Sequence, residues 1–213
     1  MENLEKRKPK GDIKFKLTLS DEQKLAKADF YEKDVNIVLG RAASGKTQFA
    51  VLTALDYYFK RHVNKIIISR PVVKNNLGFL PGDIAEKMAP HIAPIKYCMY
   101  EAYRAEQIDK MFEDKSIQIL PIDFVKGTTF SNAVVIIDEF QDLDYDDFKM
   151  CLTRLGRDSK MIFTGSYQQV DRSIKNSCMT KVRLLDGNPL VSYNEFTSNH
   201  RNPVIFDILN AME

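Results

Sequence analysis

Residues 36 to 52, NIVLGRAASGKTQFAVL, carry two glycines, a lysine and a threonine at a defined spacing. Four residues separate Gly40 from the run Gly45-Lys46-Thr47, which lies between an apolar stretch and a helical apolar pattern. Glycines at these positions let successive backbone N–H groups converge on an anion, and the following helix N-terminus adds partial positive charge. We expect Lys46 to reach the β- and γ-phosphates of a nucleotide and the Thr47 hydroxyl to ligate Mg²⁺. The predicted phosphate site comprises Gly40, Arg41, Ala42, Ala43, Ser44, Gly45, Lys46 and Thr47.

A pair of carboxylates follows a second apolar stretch, in AVVIIDEFQD at residues 133 to 142. Asp138 and Glu139 come directly after four apolar residues that are typical of a buried strand. Ligands bind beyond the carboxyl ends of strands in open α/β sheets. We therefore expect Asp138 to hold Mg²⁺, directly or through water, and Glu139 to orient or deprotonate the attacking water.

Two more polar positions extend this predicted pocket. Gln169 follows the apolar run KMIFTG and is a candidate to sense the γ-phosphate or to position water. Arg201, in TSNHRNP, is the candidate for a positive charge that stabilises the transferring phosphoryl group. Such an arginine acts either in its own subunit or across a subunit interface, and the sequence leaves both possibilities open.

Short apolar segments rich in β-branched residues provide the framework for these positions. They begin at residues 36, 65, 117, 132 and 160, and a late strand is expected at about Leu190–Phe196. Helical patterns lie between several of them, notably Thr47 to Arg61 and Tyr145 to Leu155, and a C-terminal helix is expected after Pro203. Strands that alternate with helices predict an α/β domain layered around a mostly parallel sheet.

The composition limits the classes of function. The chain has 213 residues, 44% hydrophobic residues and a net charge of +2, which suits one globular domain and excludes a polycation. Residues 1–16 form a basic segment that predicts a flexible arm, so the domain is expected to span residues 17–213. Three widely separated cysteines predict reduced thiols, and no apolar run approaches the roughly 20 residues of a membrane span. A cytoplasmic protein without a membrane segment is the expectation.

Five ordered blocks of residues, covering roughly residues 20 to 213, resemble the PhoH family of P-loop ATPases, which is related to superfamily-one helicases. The most distinctive block is RPVVKNNLGFLPGDIAEKMAPHIAPI, which is similar to the family's R-P-x-V…L-G-F-L-P-G-D-x-x-E-K…P segment. The other blocks are LSDEQKLAKADFYEKDVNIVLGRAASGKT, ILPIDFVKGTTFSNAVVIIDEFQD, LTRLGRDSKMIFTGSYQQVD and NHRNPVIFDILNAM.

This resemblance implies a three-layer, RecA-like P-loop NTPase domain that hydrolyses ATP with Mg²⁺ and acts on RNA or single-stranded DNA. It also implies that Gln23 contacts the adenine and that Arg70 lies near the nucleotide or the nucleic-acid path, although a structural loop arginine is an equal alternative. A single P-loop domain that moves nucleic acid is expected to assemble into a homo-oligomeric ring such as a hexamer, in which Arg201 completes a neighbour's site.

One departure from the family pattern keeps a second hypothesis open. The family's G-D-x-x-Q is Gly165-Ser166-Tyr167-Gln168-Gln169 here, so a hydroxyl replaces a carboxylate. This change is the main support for that second hypothesis, an ATP-dependent switch or adaptor without translocation, which ranks below an ATPase that acts on nucleic acid. A P-loop kinase acting on a small molecule ranks below both hypotheses.

Overall fold

The computed structural model describes residues 19–71, 84–170 and 176–197. Six strands form its sheet: β1 (Val35–Gly40), β2 (Lys65–Ser69), β3 (Ile117–Ile119), β4 (Ala133–Asp138), β5 (Lys160–Gly165) and β6 (Val191–Phe196). They lie in the order β3-β2-β4-β5-β1-β6, and every neighbouring pair is parallel. The predicted strands are therefore found. The carboxyl ends of β1, β4 and β5, which carry the predicted site residues, meet at one edge.

Helices cover both faces of this sheet. The helices are α1 (Asp21–Glu32), α2 (Lys46–Phe59), α3 (Ile84–Ala102), α4 (Ala105–Glu113), α5 (Ile122–Gly127), α6 (Tyr145–Leu152) and α7 (Met179–Val182). Helices α1 to α4 pack on one face and α5 to α7 on the other, which gives three layers. The predicted three-layer α/β fold is confirmed.

The central strand β4 shows why the sequence forms a sandwiched sheet. Val134 and Ile136 contact the α1–α4 layer, whereas Val135 and Ile137 contact the α5–α7 layer. Side chains alternate between the faces of a strand, so a strand covered on both faces is a continuous apolar run. All six residues of β4 are buried, including Asp138 at its end.

Local hydrogen bonds set the helix boundaries, and two helices end earlier than predicted. Helix α2 ends at Phe59 instead of Arg61, because Arg61 adopts a left-handed backbone with φ of 60°. Helix α6 ends at Leu152 instead of Leu155, because the following backbone pairs with Phe130.

Several predictions concern residues outside the described ranges. These are the N-terminal arm (residues 1–16), Arg201 and the helix after Pro203. Among the described residues, no helix combines the length and apolarity needed to cross a membrane.

Candidate active site

The loop between β1 and α2 wraps around a point at the N-terminus of α2. Gly45 has a left-handed backbone with φ of 80°, a conformation that glycine adopts without steric cost, and the helix begins at the next residue. Gly40 lies against β6, and a Cβ atom there would come within 2.5 Å of the Phe196 carbonyl oxygen. Ser44 is buried, and its hydroxyl has no hydrogen-bond partner among the described residues. A glycine-bearing loop at a helix N-terminus is the kind of backbone that binds phosphate in other proteins.

Lys46 is buried at the start of α2 and points back along its own loop. Its ammonium donates hydrogen bonds to the carbonyl oxygens of Gly40 (2.9 Å) and Arg41 (2.8 Å). Burial lowers the pKa of Lys46, while the negative charges of Glu139 and Asp138 oppose that change. The lysine charge therefore lies within the loop between β1 and α2, and its contact with nucleotide phosphates stays a prediction.

Asp138 lies at the end of β4 with only 2% of its surface exposed. Its Oδ1 accepts hydrogen bonds from Thr47 Oγ1 (2.8 Å) and Thr164 Oγ1, whereas Oδ2 has no hydrogen-bond partner among the described residues. Burial raises the pKa of Asp138, and the hydroxyls of Thr164 and Thr47 act in the opposite direction. The predicted metal ligands Thr47 and Asp138 are therefore in direct contact.

Glu139 follows in a strained left-handed backbone, with φ of 55°. Its Oε2 accepts a hydrogen bond of 2.6 Å from Gln141 Nε2, and Gln141 Oε1 accepts one of 3.1 Å from the backbone N–H of Ser166. Gln141 thus links the end of β4 to the end of β5. The left-handed backbone of Glu139 turns the chain at the end of β4 into the short 3₁₀ turn Phe140–Asp142.

Arg70, the residue after β2, faces both carboxylates. Its guanidinium Nη1 lies 3.7 Å from Asp138 Oδ2, and its Nη2 lies 3.5 Å from Glu139 Oε1. Of the two interpretations left open for Arg70, these contacts favour a position next to the predicted catalytic pair.

Two other predicted residues, Gln23 and Gln169, form no hydrogen bond with this cluster within the described residues. Gln23 is buried in the first turn of α1, where its side chain accepts a hydrogen bond from the backbone N–H of Ser20 in a capping box. Neighbouring Glu22 accepts hydrogen bonds from Thr197 just beyond β6, so α1 begins at the edge that carries the phosphate loop. Gln169 is exposed and forms no hydrogen bond to the site within the described residues. The roles of Gln23 and Gln169 stay predictions.

The all-parallel sheet, the phosphate loop and the paired strand-end carboxylates define a P-loop NTPase domain. Among solved structures, the chain is similar to the large terminase of a thermophilic bacteriophage, with a TM-score of 0.60 and 13% identity. That match covers 92% of this chain and 51% of the terminase, and at this identity it shows the shared fold.

The sequence model of the PhoH-like protein family matches residues 17–213, and the chain therefore belongs to the PhoH family. It is 35% identical over 186 residues to the PhoH-like protein of Bacillus subtilis (strain 168), which covers 84% of this chain and 58% of that protein. Protein PhoH of Escherichia coli (strain K12) is 36% identical over 143 residues, or 65% of this chain and 40% of that protein. The chain thus spans about half the length of these relatives. The resemblance drawn from the five sequence blocks is confirmed.

Three contacts in the site were not anticipated from sequence. They are the Thr164 hydroxyl on Asp138, the Gln141 amide on Glu139 and the Arg70 guanidinium on both carboxylates. Gln141 carries the clearest sequence signal, because it lies two residues after Glu139 in DEFQ.

Proposed function

We propose that the protein binds ATP with Mg²⁺ at this site and hydrolyses it. The observation that carries the proposal is the direct hydrogen bond between Thr47 on the phosphate loop and Asp138 at the end of β4. It brings together the two halves of a nucleotide–metal site that are 91 residues apart in sequence. ATP is proposed over GTP because the sequence lacks an N-K-x-D guanine-recognition motif and has Gln23 at the family's adenine position.

The oxygen atoms available here suit Mg²⁺. Thr47 Oγ1 and Asp138 Oδ2, which accepts no hydrogen bond from the described residues, are hard oxygen donors and would hold the magnesium ion. When bound, the ion would supply positive charge that stabilises the phosphoryl group during transfer. The Lys46 ammonium adds positive charge on the loop side of the site. When nucleotide binds, it would donate to phosphate oxygens instead of the carbonyl oxygens of Gly40 and Arg41.

Glu139 is the proposed group that orients the attacking water and accepts its proton. Its carboxylate is held by Gln141 and lies next to Asp138 at the strand end. A general base of this kind typically contributes about 10²- to 10⁴-fold to the rate. Gln169 and Arg201 complete the proposed set, as γ-phosphate sensor and as the positive charge on the transferred group.

RNA or single-stranded DNA is the proposed substrate, on the strength of family membership and the basic segment at residues 1–16. The test is steady-state ATP hydrolysis with and without each polymer, at low and moderate salt. We expect one polymer to stimulate hydrolysis and the stimulation to fall as salt rises, because phosphate contacts release counterions. A rate that neither polymer changes would overturn the nucleic-acid proposal.

An ATP-dependent switch is the second candidate, favoured by Ser166. This residue is buried, and its hydroxyl accepts a hydrogen bond from the backbone N–H of Gln168, so it serves a local turn where the family pattern has a carboxylate. A slow rate of hydrolysis that is insensitive to nucleic acid would favour this candidate.

A homo-oligomeric ring in the cytoplasm completes the proposal, with Arg201 acting across the subunit interface. The cysteines Cys98, Cys151 and Cys178 are free thiols, which suits a reducing compartment. If Arg201 acts in trans, mixing inactive Lys46→Ala and Arg201→Ala subunits restores part of the activity. If mixing restores nothing while both variants still assemble, Arg201 does not act in trans.

A further inference from the structure

Arg70 is positioned by the sheet to meet both carboxylates at the end of β4. Ser69 of β2 pairs with Ile137 of β4, so the next residue on each strand, Arg70 and Asp138, emerges at the same edge. The guanidinium reaches Asp138 Oδ2 at 3.7 Å and Glu139 Oε1 at 3.5 Å, and the Arg70 side chain is 27% exposed. One cation therefore serves two anions.

The oxygen of Asp138 that faces Arg70 is also the oxygen available to a metal ion. Oδ1 already accepts hydrogen bonds from Thr47 and Thr164, whereas Oδ2 has no hydrogen-bond partner among the described residues. The Arg70 guanidinium would therefore compete for the negative charge of Asp138 with a divalent cation that is held by Asp138 and Thr47. Two positive charges beside one carboxylate repel each other, most strongly in a site that excludes water.

The second partner of Arg70 does not have this conflict. Glu139 Oε2 is held by Gln141, and Oε1 faces the guanidinium, so the two contacts fix opposite sides of one carboxylate. A guanidinium is a planar fork with several donors and orients a carboxylate more strictly than an ammonium does.

We propose that Arg70 is a positioning residue with two opposed effects: it competes with Mg²⁺ for Asp138, and it orients Glu139 for hydrolysis. This inference rests on the proposed ATPase function. In the metal-free protein, Arg70 then stabilises both carboxylates, Asp138 and Glu139. When Mg²⁺ and nucleotide bind, the Arg70 guanidinium turns toward Glu139. Hydrolysis is thereby tied to the arrival of the metal.

The two effects separate in the variants Arg70→Met and Arg70→Lys. For Arg70→Met, we expect the Mg²⁺ concentration that half-saturates binding of a fluorescent, non-hydrolysable ATP analogue to fall about three- to tenfold, because a competing charge is removed. We expect kcat for ATP to fall about tenfold in the same variant, because Glu139 loses one of the two contacts that it has among the described residues. For Arg70→Lys, the half-saturating Mg²⁺ concentration stays near the wild-type value while kcat falls, because the charge is kept and the fork is lost.

Arg104→Met is the matched control, since Arg104 is an exposed arginine at the start of α4. It should leave both quantities unchanged, and thermal unfolding should confirm that all variants fold. A higher Mg²⁺ requirement in Arg70→Met would overturn the competition, and an unchanged kcat would overturn the positioning of Glu139.

Failure of the ATPase proposal is a distinguishable result. If the wild-type protein binds the analogue with Mg²⁺ but releases no phosphate from ATP, the proposed hydrolysis is wrong, and the Mg²⁺ titrations still decide the competition at Asp138. If the analogue does not bind with or without Mg²⁺, both the function and this inference fail.

Discussion

Asp138→Asn is expected to stabilise the ligand-free protein while it abolishes Mg²⁺-dependent hydrolysis. The Asp138 side chain is 2% exposed, and one of its oxygens has no hydrogen-bond partner among the described residues. Burial raises the pKa of Asp138, and Thr164, Thr47 and Arg70 offset this only in part. Asparagine has the same shape without the charge, and its oxygen can accept the same two hydroxyl donors.

The size of the effect follows from the oxygen that accepts no hydrogen bond from the described residues. A buried polar group without a hydrogen bond costs about 1–3 kcal/mol. The new Asn amide N–H groups at this position are also incompletely paired, so we expect a net gain in the free energy of unfolding near the lower end, about 1–2 kcal/mol. For a chain of 213 residues this corresponds to a rise in Tm of about 2–8 °C.

The pH dependence of this gain has a definite sign. Because the folded-state pKa of Asp138 is raised, the protonated carboxyl favours folding, and its contribution is fully present below the ordinary aspartate pKa of about 4. That contribution is lost as pH rises through the folded-state pKa. The Tm difference between Asp138→Asn and wild type should therefore be smallest in acid, grow with pH and then level off.

Thermal unfolding followed by circular dichroism between about pH 3 and 8, a range that begins below the ordinary aspartate pKa, measures this difference. Asp186→Asn is the control, because Asp186 is exposed, and we expect no comparable pH-dependent difference there. A lower Tm for Asp138→Asn than for wild type at neutral pH would refute the argument. So would a Tm difference that stays constant across the range.

Three further changes follow from the same contacts. Lys46→Ala should weaken binding of a fluorescent ATP analogue about 10- to 100-fold, because it removes the ammonium at the phosphate loop. Gly165→Ala should lower the free energy of unfolding in urea by about 1–3 kcal/mol, since its Cβ would lie 2.8 Å from the Phe140 ring and from Gln141 Oε1. Gly127→Ala, where the Cβ meets nothing within 4 Å, is the control. Gln141→Leu should lower kcat about tenfold and leave nucleotide affinity unchanged, because it removes the hydrogen bond that holds the Glu139 carboxylate.

Each of these three predictions has a result that would contradict it. Unchanged analogue affinity in Lys46→Ala would place the phosphates elsewhere. Equal stability of the Gly165→Ala and Gly127→Ala variants would show that the Phe140 ring moves away from the added Cβ atom without a cost in stability. A Gln141→Leu variant that loses affinity and turnover together would indicate a role in nucleotide binding.

The strands and the phosphate loop were predictable because their physical requirements are local. A strand covered on both faces needs a continuous apolar run, as in β4 and β5, and the loop needs glycines near a helix start. The position of Asp138 and Glu139 at the carboxyl end of β4 followed from the apolar run that precedes them. These features need no knowledge of which strands are neighbours.

The contacts that orient Asp138 and Glu139 depend on strand order, which hydrophobic periodicity does not determine. Thr164 meets Asp138 because β5 pairs with β4, and Arg70 meets it because β2 pairs with β4 on the other side. The helix ends at Phe59 and Leu152 depended on the left-handed backbone of Arg61 and on backbone pairing with Phe130. The first is a local turn, whereas the pairing with Phe130 is a tertiary contact that overrides local helix propensity.

The most direct test of the central claim compares phosphate release from ATP by the wild-type protein and by Glu139→Gln. Both proteins are measured with Mg²⁺ and with EDTA, together with their affinity for a non-hydrolysable ATP analogue. We predict that the wild type releases phosphate only with Mg²⁺, and that Glu139→Gln keeps the affinity but loses about 10²- to 10⁴-fold in rate. A Glu139→Gln variant that hydrolyses ATP at the wild-type rate would contradict the assignment of this site.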